Sequence, residues 1–494
     1  MQGFLSTLLI AATLAAPATA GERPNVVVFL TDDQGYGDLS CYGSDRVQTP
    51  NIDCMAAEGM RFTQFYAPAS SCSPTRSATL TGRSPLRLGI YTYIPKNSAM
   101  HLKREERTIA SILRDAGYTT CFVGKWGCNG IMGSAEQPQP DDHGFDYYLA
   151  AQNNATPSHK DPDCFYRNGT ALGVVKGYSA QIIVDEAIGW LKTRQDQQKP
   201  FCLFVWFQEP HRVIATPEEF IAPYRKKLEA GELRTTTAQD TPKGQKEAPS
   251  LPEYLGNIAH VDHQVGRILR ALEELGVAEN TLALFTSDNG PIEPGSTGGL
   301  RGGKGTLWEG GIRMPGIVRW PARIKPGQTC DVPITGLDLL PTLCEVADVA
   351  PPNDRALDGE SILPLLEGRR FQRTKPLFWW RLSGDAVLRE GEWKLRGIPE
   401  PAKNFPSELA FVKGAQLEKF ELYNLADDPT ENNDIAAEHD RRVAAMRARL
   451  QAIHSEMQAE GERWPEGALP GPNSGKGGGK SAAKKARNQP TRNR

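Results

Sequence analysis

The chain is poor in cysteine, with nine in 494 residues, too few for a disulfide-stapled scaffold. Nine is also odd, so one cysteine must be unpaired, reactive or changed into something else. Long apolar runs are nearly absent. The one run present, Phe4 to Ala16, is too short for a comfortable membrane span. No internal repeat is visible, and neither charge sign dominates, with Lys+Arg 57 against Asp+Glu 59. A hydrophobic share of 39% and a charged share of 23% exclude wholesale disorder, collagen and coiled coil. What remains is an ordinary globular chain, long enough for one large and one small domain.

The two ends differ from the body. Residues 1–20 carry no charged side chain, and their apolar run leads to Ala18-Thr19-Ala20, a small-x-small cleavage site. This pattern predicts a signal peptide, with Gly21 starting a mature chain that is secreted or periplasmic and has no membrane anchor. At the other end, Lys476, Lys480, Lys484, Lys485, Arg487, Arg492 and Arg494 stand among Gly, Ser and Asn with no acid. The preceding residues therefore hold 50 Lys+Arg against 59 Asp+Glu, a net −9. Such a tail cannot bury enough surface to order itself. No aromatic residue interleaves its charges, so it reads as a solvated end and gives no ground for a nucleic-acid partner.

Between the ends, short continuous apolar runs alternate with helical stripes. Val26–Leu30, Thr119–Val123, Phe201–Phe207 and Thr281–Phe285 read as buried parallel strands. Ile109, Ile112 and Leu113 form one helical stripe, and Ile183, Ala187, Trp190 and Leu191 another. Ile258, Val261, Val265, Ile268, Leu269 and Leu272 form a third. The alternation predicts an α/β domain over 21–372 with a mostly parallel central sheet flanked by helices. Residues 228–252 are polar and read as a surface insertion. From Pro376 the pattern shifts to short strands and then a long helix at about 434–458. That predicts a smaller α+β C-terminal subdomain over 373–465, followed by the basic tail at 466–494.

All four apolar strands run straight into polar residues: Thr31-Asp32-Asp33-Gln34, Gly124-Lys125-Trp126, Gln208-Glu209-Pro210-His211 and Ser287-Asp288-Asn289-Gly290. In open α/β sheets, ligands bind beyond the carboxyl ends of the strands, so these four ends can converge on one pocket. Each alone is an unremarked surface loop; the four together are not. Asp32, Asp33, Asp288 and Asn289 offer hard oxygen ligands that suit Ca²⁺ or Mg²⁺. The bland alternative is that Asp33 caps a helix and Asp288-Asn289-Gly290 makes a turn.

A further segment, Ser71 to Arg83, starts a helix near Pro74 and ends it at Gly82. It puts Cys72 just before the helix N-terminus, where an anion is favoured, with Arg76 within reach of the same anion. A buried structural cysteine and a thiolate nucleophile are both open readings here. Cys72-Ser73-Pro74-Thr75-Arg76 resembles the C-x-P-x-R signature of the type I sulfatases. The resemblance extends from Asn25–Gly37 through Gly124-Lys125-Trp126, Thr286–Gly290, Gly303-Lys304 and Glu309-Gly310-Gly311 to Glu421–Leu425 with Asp428-Pro429. It leans toward the arylsulfatase A and N-acetylgalactosamine-6-sulfatase branch. It implies an alkaline-phosphatase-like fold and a sulfuric ester hydrolase acting on a sulfated carbohydrate or aryl sulfate.

The resemblance also implies roles. Cys72 would be oxidised by a formylglycine-generating maturation enzyme to Cα-formylglycine, whose hydrated aldehyde attacks sulfur and later expels sulfate. Asp32, Asp33, Asp288, Asn289 and residue 72 would hold Ca²⁺. Arg76 would hold the hydrated aldehyde, Lys125 and Lys304 the sulfate oxygens, and His211 would protonate the leaving alcohol. One position departs from the family, which shows Gly-Lys-Trp-His where this chain has Gly124-Lys125-Trp126-Gly127. The missing histidine is the family's base for sulfate expulsion; His101, Asn129 and His143 are the replacements nearest in sequence. The loop Gln152–His159 lines a substrate subsite or is an ordinary surface loop. His260 and His263, flanking Asp262, read as structural. Two alternatives stay open: a phosphonate monoester or phosphodiester hydrolase of the same superfamily, and an impaired, sulfoglycan-binding homologue.

Overall fold

The computed structural model describes residues 23–233 and 249–469. The signal peptide read at 1–20, most of the insertion read at 228–252 and the tail from residue 470 lie outside the described residues. Among the described residues, fifteen strands form two sheets. The large sheet holds β1 (Asn25–Thr31), β2 (Met60–Tyr66), β3 (Thr119–Lys125), β4 (Tyr147–Ala151), β5 (Phe165–Arg167), β6 (Thr170–Ala171), β7 (Phe201–Trp206), β8 (Thr281–Ser287), β9 (Arg313–Arg319), β10 (Gln328–Cys330) and β11 (Ile334–Thr335). Its order is β10-β2-β9-β8-β1-β7-β3-β4-β5-β6, with β11 beside β2. The five central strands, from β8 to β4, run parallel. Antiparallel pairing enters where β9 joins β8 and β2, and where β5 joins β4.

β1 shows why the centre holds. All seven of its residues are buried, so both its faces must be apolar, and NVVVFLT meets that demand. Val28 stands opposite Phe204 on β7 and Leu284 on β8. The period of two splits the strand between two cores. Val26, Val28 and Leu30 pack with Ala78, Leu80, Leu340 and Leu343 on one face. Val27 and Phe29 pack with Ile183, Ala187, Leu255 and Ile258 on the other. The helices Cys72–Thr81 and Leu339–Val346 thus cover one face, and Ser179–Thr193 and Leu251–Glu274 cover the other.

The smaller sheet is antiparallel: β12 (Leu377–Trp380), β13 (Ala386–Glu390), β14 (Trp393–Pro399) and β15 (Leu417–Asn424). The helix Asp440–Glu460 covers it through Met446, Leu450 and Met457. That helix begins later than the sequence pattern suggested. Asp434 accepts hydrogen bonds from Leu422 N at 3.0 Å and Ala436 N at 2.9 Å, and a short 3₁₀ turn occupies 436–438 before the helix can start. Trp379 Nε1 donates to Ala67 O at 2.8 Å and ties the small sheet to the large one. All nine cysteines are free thiols, so the odd count leaves no set of pairs. Cys121 and Cys202 lie on β3 and β7, as their apolar settings require. Asp262 takes the amides of Asn51 at 3.3 Å and Ile52 at 2.8 Å, and His260 packs on Phe220, so this helical segment is structural.

Candidate active site

The helix Cys72–Thr81 starts at Cys72 itself, two residues before Pro74. Ser71 is its extended N-cap, Gly82 ends it at φ 66°, and every residue between is buried. Cys72 is therefore in the first turn, where backbone N–H groups lack helical acceptors and favour negative charge. Arg76 lies one turn on, on the same face. Its guanidinium is fully buried. Nε and Nη2 donate to Asp288 Oδ2 at 3.1 and 2.9 Å, and Nη1 donates to Lys125 O at 2.9 Å. Burial disfavours its charge, but Asp288 and Asp32 outweigh that and raise its pKa.

The ends of β8, β1, β7 and β3 are neighbours in the sheet, and their polar residues meet over them. Asp32 N donates to Glu209 O at 2.9 Å, and Asp33 N donates to Asp288 Oδ1 at 3.2 Å. Asn289 Nδ2 donates to Asp33 Oδ1 at 2.7 Å. Asp33 holds the left-handed conformation at φ 65°, which costs a non-glycine residue energy that the surroundings must offset. Lys125 Nζ sits 2.5 Å from Asp32 Oδ2, and Lys304 Nζ 2.6 Å from Asp33 Oδ1. His211 Nε2 is 3.6 Å from Asp33 Oδ2, while its Nδ1 is 2.6 Å from Arg212 O.

The electrostatics are those of a packed charge cluster. Burial would raise Asp32, but Lys125, His211, Arg76 and Lys304 together hold it well below the usual carboxylate range. Burial and then the Asp32 charge push Asp288 up to about 7. Burial and the Lys304 ammonium pull His211 down to about 4, against Asp33 and Asp32. Lys304 is raised, because Asp33, Asp32 and Asp288 overcome its burial. Two buried oxygens, Asp32 Oδ1 and Asn289 Oδ1, have no hydrogen-bond partner. Unpartnered hard oxygens beside three carboxylates fit a divalent cation, and Asp32, Asp33 and His211 cluster closely enough to share one.

The sulfatase family model matches residues 24–349, two thirds of the chain. The chain belongs to the sulfatase family. A second family model, the C-terminal region of N-sulphoglucosamine sulphohydrolase, matches residues 303–459. The sulfatase is 32% identical to N-acetylgalactosamine-6-sulfatase of Canis lupus familiaris over 415 residues, covering 78% of this chain and 73% of that one. It is 33% identical to arylsulfatase A of Homo sapiens over 453 residues, covering 87% and 86%. Among solved structures, one determined in complex with k-i-k-neocarrahexaose superposes with a TM-score of 0.74 at 23% identity, covering 89% of this chain and 94% of that one. These neighbours carry the alkaline-phosphatase-like fold that the sequence resemblance implied.

Position 127 remains a departure. Gly127 has φ 68°, and a Cβ there would lie 3.0 Å from Arg76 Cδ and 3.8 Å from Ser73 Oγ, so the position faces the site. None of the three replacements nearest in sequence takes its place. His143 stacks on Trp126 at 5.7 Å, His101 lies 5.1 Å from Trp464, and Asn129 Nδ2 donates to Pro138 O at 3.0 Å. The polar loop 152–159 does reach the centre. Asn154 Oδ1 accepts from Lys125 Nζ at 2.7 Å, and its Nδ2 is 3.4 Å from His211 Nε2. Sequence reasoning singled out the loop but not this residue. Glu209 was not singled out either; its side chain accepts from Ala180 N at 3.0 Å and from Ser179, while its carbonyl holds Asp32.

Proposed function

We propose that the enzyme hydrolyses sulfate esters of carbohydrates, with Cys72 converted to Cα-formylglycine and Ca²⁺ held by Asp32, Asp33, Asp288, Asn289 and residue 72. The observation that carries this reading is the pair of unpartnered buried oxygens, Asp32 Oδ1 and Asn289 Oδ1, in a cluster that also contains Cys72 and three fixed cations. When bound, Ca²⁺ supplies Lewis acidity at an anionic sulfate oxygen. The converted side chain supplies a hydroxyl nucleophile.

The protein's own groups do the rest. A sulfate ester repels nucleophiles through its negative oxygens. Lys125 and Lys304 offset that repulsion from positions fixed by Asp32, Asn154 and Asp33. Arg76, whose Nε and Nη2 both donate to Asp288 Oδ2, presents its charge to residue 72 without spending rotamer entropy at the moment of reaction. His211 donates its Nδ1–H to the Arg212 carbonyl, so Nε2 can give a proton to the leaving alcohol only from the imidazolium, the form that the Asp33 carboxylate 3.6 Å from Nε2 favours. The names of the similar N-acetylgalactosamine-6-sulfatase support a sulfated sugar as substrate, and those of arylsulfatase A support an aryl sulfate as assay substrate. The apolar run Phe4 to Ala16 and the small-x-small site Ala18-Thr19-Ala20 support export, to the periplasm or the cell exterior. Among the described residues, no helix is long and apolar enough to cross a membrane.

Mass spectrometry of the tryptic peptide spanning Cys72, after co-expression with a formylglycine-generating enzyme, tests the reading. The expected product has lost the cysteine sulfur as an aldehyde or its hydrate. An intact thiol overturns the proposed chemistry. Aryl sulfate should be cleaved in preference to aryl phosphonate; the reverse preference would favour the phosphonate hydrolase reading. A second reading, an enzyme slowed in sulfate release or one that only binds sulfoglycans, is favoured by Gly127. The slowed enzyme predicts a burst of alcohol followed by little turnover, and the binding protein predicts no alcohol at all.

A further inference from the structure

The loop carrying Lys304 is held differently from the rest of the site. Lys125 ends a strand of the large sheet and Asp32, His211 and Asp288 follow strands of it, whereas Lys304 stands in Gly302-Gly303-Lys304-Gly305, which has no strand of its own. Gly305 has φ 79° and no side chain to anchor it, so its peptide groups decide where Lys304 points. Its N–H donates to Ser70 O at 2.8 Å, two residues before Cys72. Its carbonyl accepts from Arg381 Nη1 at 2.6 Å.

Arg381 belongs to the smaller sheet, just past β12. Its Nε and Nη2 both lie 2.6 Å from Asp385 Oδ2, which fixes the plane of the guanidinium and aims Nη1 at the loop. Asp385 is itself held by Ser383 Oγ at 3.1 Å and by Arg396 at 3.4 Å. A pocket of ≈160 Å³, lined by Ser70, Ser71, Gly305, Trp380 and Arg381 among others, opens beside this contact. On the other side of the loop Lys304 N donates to Pro291 O at 3.1 Å, so the Arg381 bond fixes the Gly305 end.

We propose that Arg381 is a positioning residue for Lys304, setting the distance between that ammonium and residue 72 from the C-terminal sheet. The proposal rests on the reading of Lys304 as a cation that holds sulfate oxygens. Without Arg381, the glycine loop gains freedom and the ammonium drifts from the geometry that the transition state needs. The loss should appear in kcat more than in KM.

The test compares Arg381→Ala, Arg381→Lys, Lys304→Ala and the Lys304→Ala/Arg381→Ala double variant of the full, matured enzyme on an aryl sulfate, with thermal unfolding measured for each. Arg381→Ala should lower kcat about 10- to 100-fold while the unfolding midpoint stays near wild type. Arg381→Lys, which keeps a donor but loses the fork, should fall between the two. The double variant should be no slower than Lys304→Ala within about twofold, because a residue acting through Lys304 has nothing left to act on. Full additivity in the double variant, or an unchanged kcat in Arg381→Ala, would overturn the positioning role. A kcat loss that only follows a lowered folded fraction, with Arg381→Lys equally impaired, would also overturn it. Wild-type activity in Lys304→Ala would instead remove the reading of Lys304 on which the proposal stands.

Discussion

Two buried charge clusters flank the Lys304 loop, and they are balanced differently. One is the site: Asp32, Asp33 and Asp288 against Arg76, Lys125 and Lys304. The other joins the two sheets: Glu309 and Glu431 against Lys394, with Tyr66 and Arg313 around them. In the second, three of the four carboxylate oxygens accept a hydrogen bond, and the fourth, Glu431 Oε1, is ion-paired with Lys394 without one. Lys394 Nζ lies 3.0 Å from Glu309 Oε1 and 2.7 Å from Glu431 Oε1, Tyr66 OH donates to Glu309 Oε2 at 2.6 Å, and Glu309 N donates to Glu431 Oε2 at 2.6 Å. In the first, Asp32 Oδ1 and Asn289 Oδ1 are left without partners. Saturated pairing is what a structural cluster needs, since each unpaired buried charge is costly. Unsaturated oxygens are retained where something else is to be bound.

This contrast should break first at Lys394. Lys394→Met leaves Glu309 and Glu431 facing each other, buried, with Arg313 at 3.7 Å left to offset Glu309 in part, and should cost about 3–5 kcal/mol of stability in denaturant unfolding. Adding Glu309→Gln should recover part of the loss; no recovery would mean that the cluster is not what Lys394 stabilises. Asp32→Asn is the matching change in the site. It should lower kcat/KM roughly 100- to 1,000-fold, because the cation loses a ligand and Lys125 an anchor. Its unfolding midpoint without added metal should also fall, because the ionised Asp32 carboxylate is favoured in the folded state and Lys125 loses its buried partner. An unmoved midpoint would show that the Lys125–Asp32 pair does not stabilise the metal-free site. Calcium should raise the wild-type midpoint and leave that of Asp32→Asn nearly unmoved.

His143 gives a smaller, charge-free control. It is 1% exposed against Trp126, and burial pulls its pKa down to about 4 from 6.5, opposed only in part by Asp142 and the Leu102 carbonyl. The unfolded chain therefore binds a proton in the window between 6.5 and 4 that the folded chain does not. Stability contributed by the neutral ring is complete above 6.5 and is lost as pH falls toward 4, by up to about 3 kcal/mol. His143→Gln should flatten that part of the acid-unfolding curve and leave kcat within about twofold. A large kcat loss in a well-folded variant would return His143 to the list of possible bases.

The strand ends were legible because each central strand is apolar on both faces and stops abruptly at polar residues. Thr286-Ser287-Asp288-Asn289 shows this at β8. β2 and β9 were not legible. MRFTQFY alternates only weakly, and Pro315 interrupts the pattern of the other. Both are held by antiparallel pairing to each other, which local sequence does not carry. Asn154 was hidden for a related reason. Nothing in Gln152–His159 says which amide will turn inward, because that depends on Lys125 and His211 arriving from β3 and β7.

Gly127 tests the smallest and most local difference. A side chain at this position would point at Arg76 and Ser73, the same face that Cys72 shares. Gly127→His would restore a base there, and base catalysis of sulfate release should raise kcat on the order of 10-fold in an assay that follows steady-state turnover. The backbone opposes the change. At φ 68° a histidine is strained, and its Cβ needs Arg76 Cδ to give way from 3.0 Å, so stability should fall by about 1–2 kcal/mol. Gly127→Ala separates the two effects, carrying the same strain without the imidazole. If the histidine variant is no faster than the alanine variant, sulfate release does not wait on a base at residue 127, and the buried cations alone must carry that step.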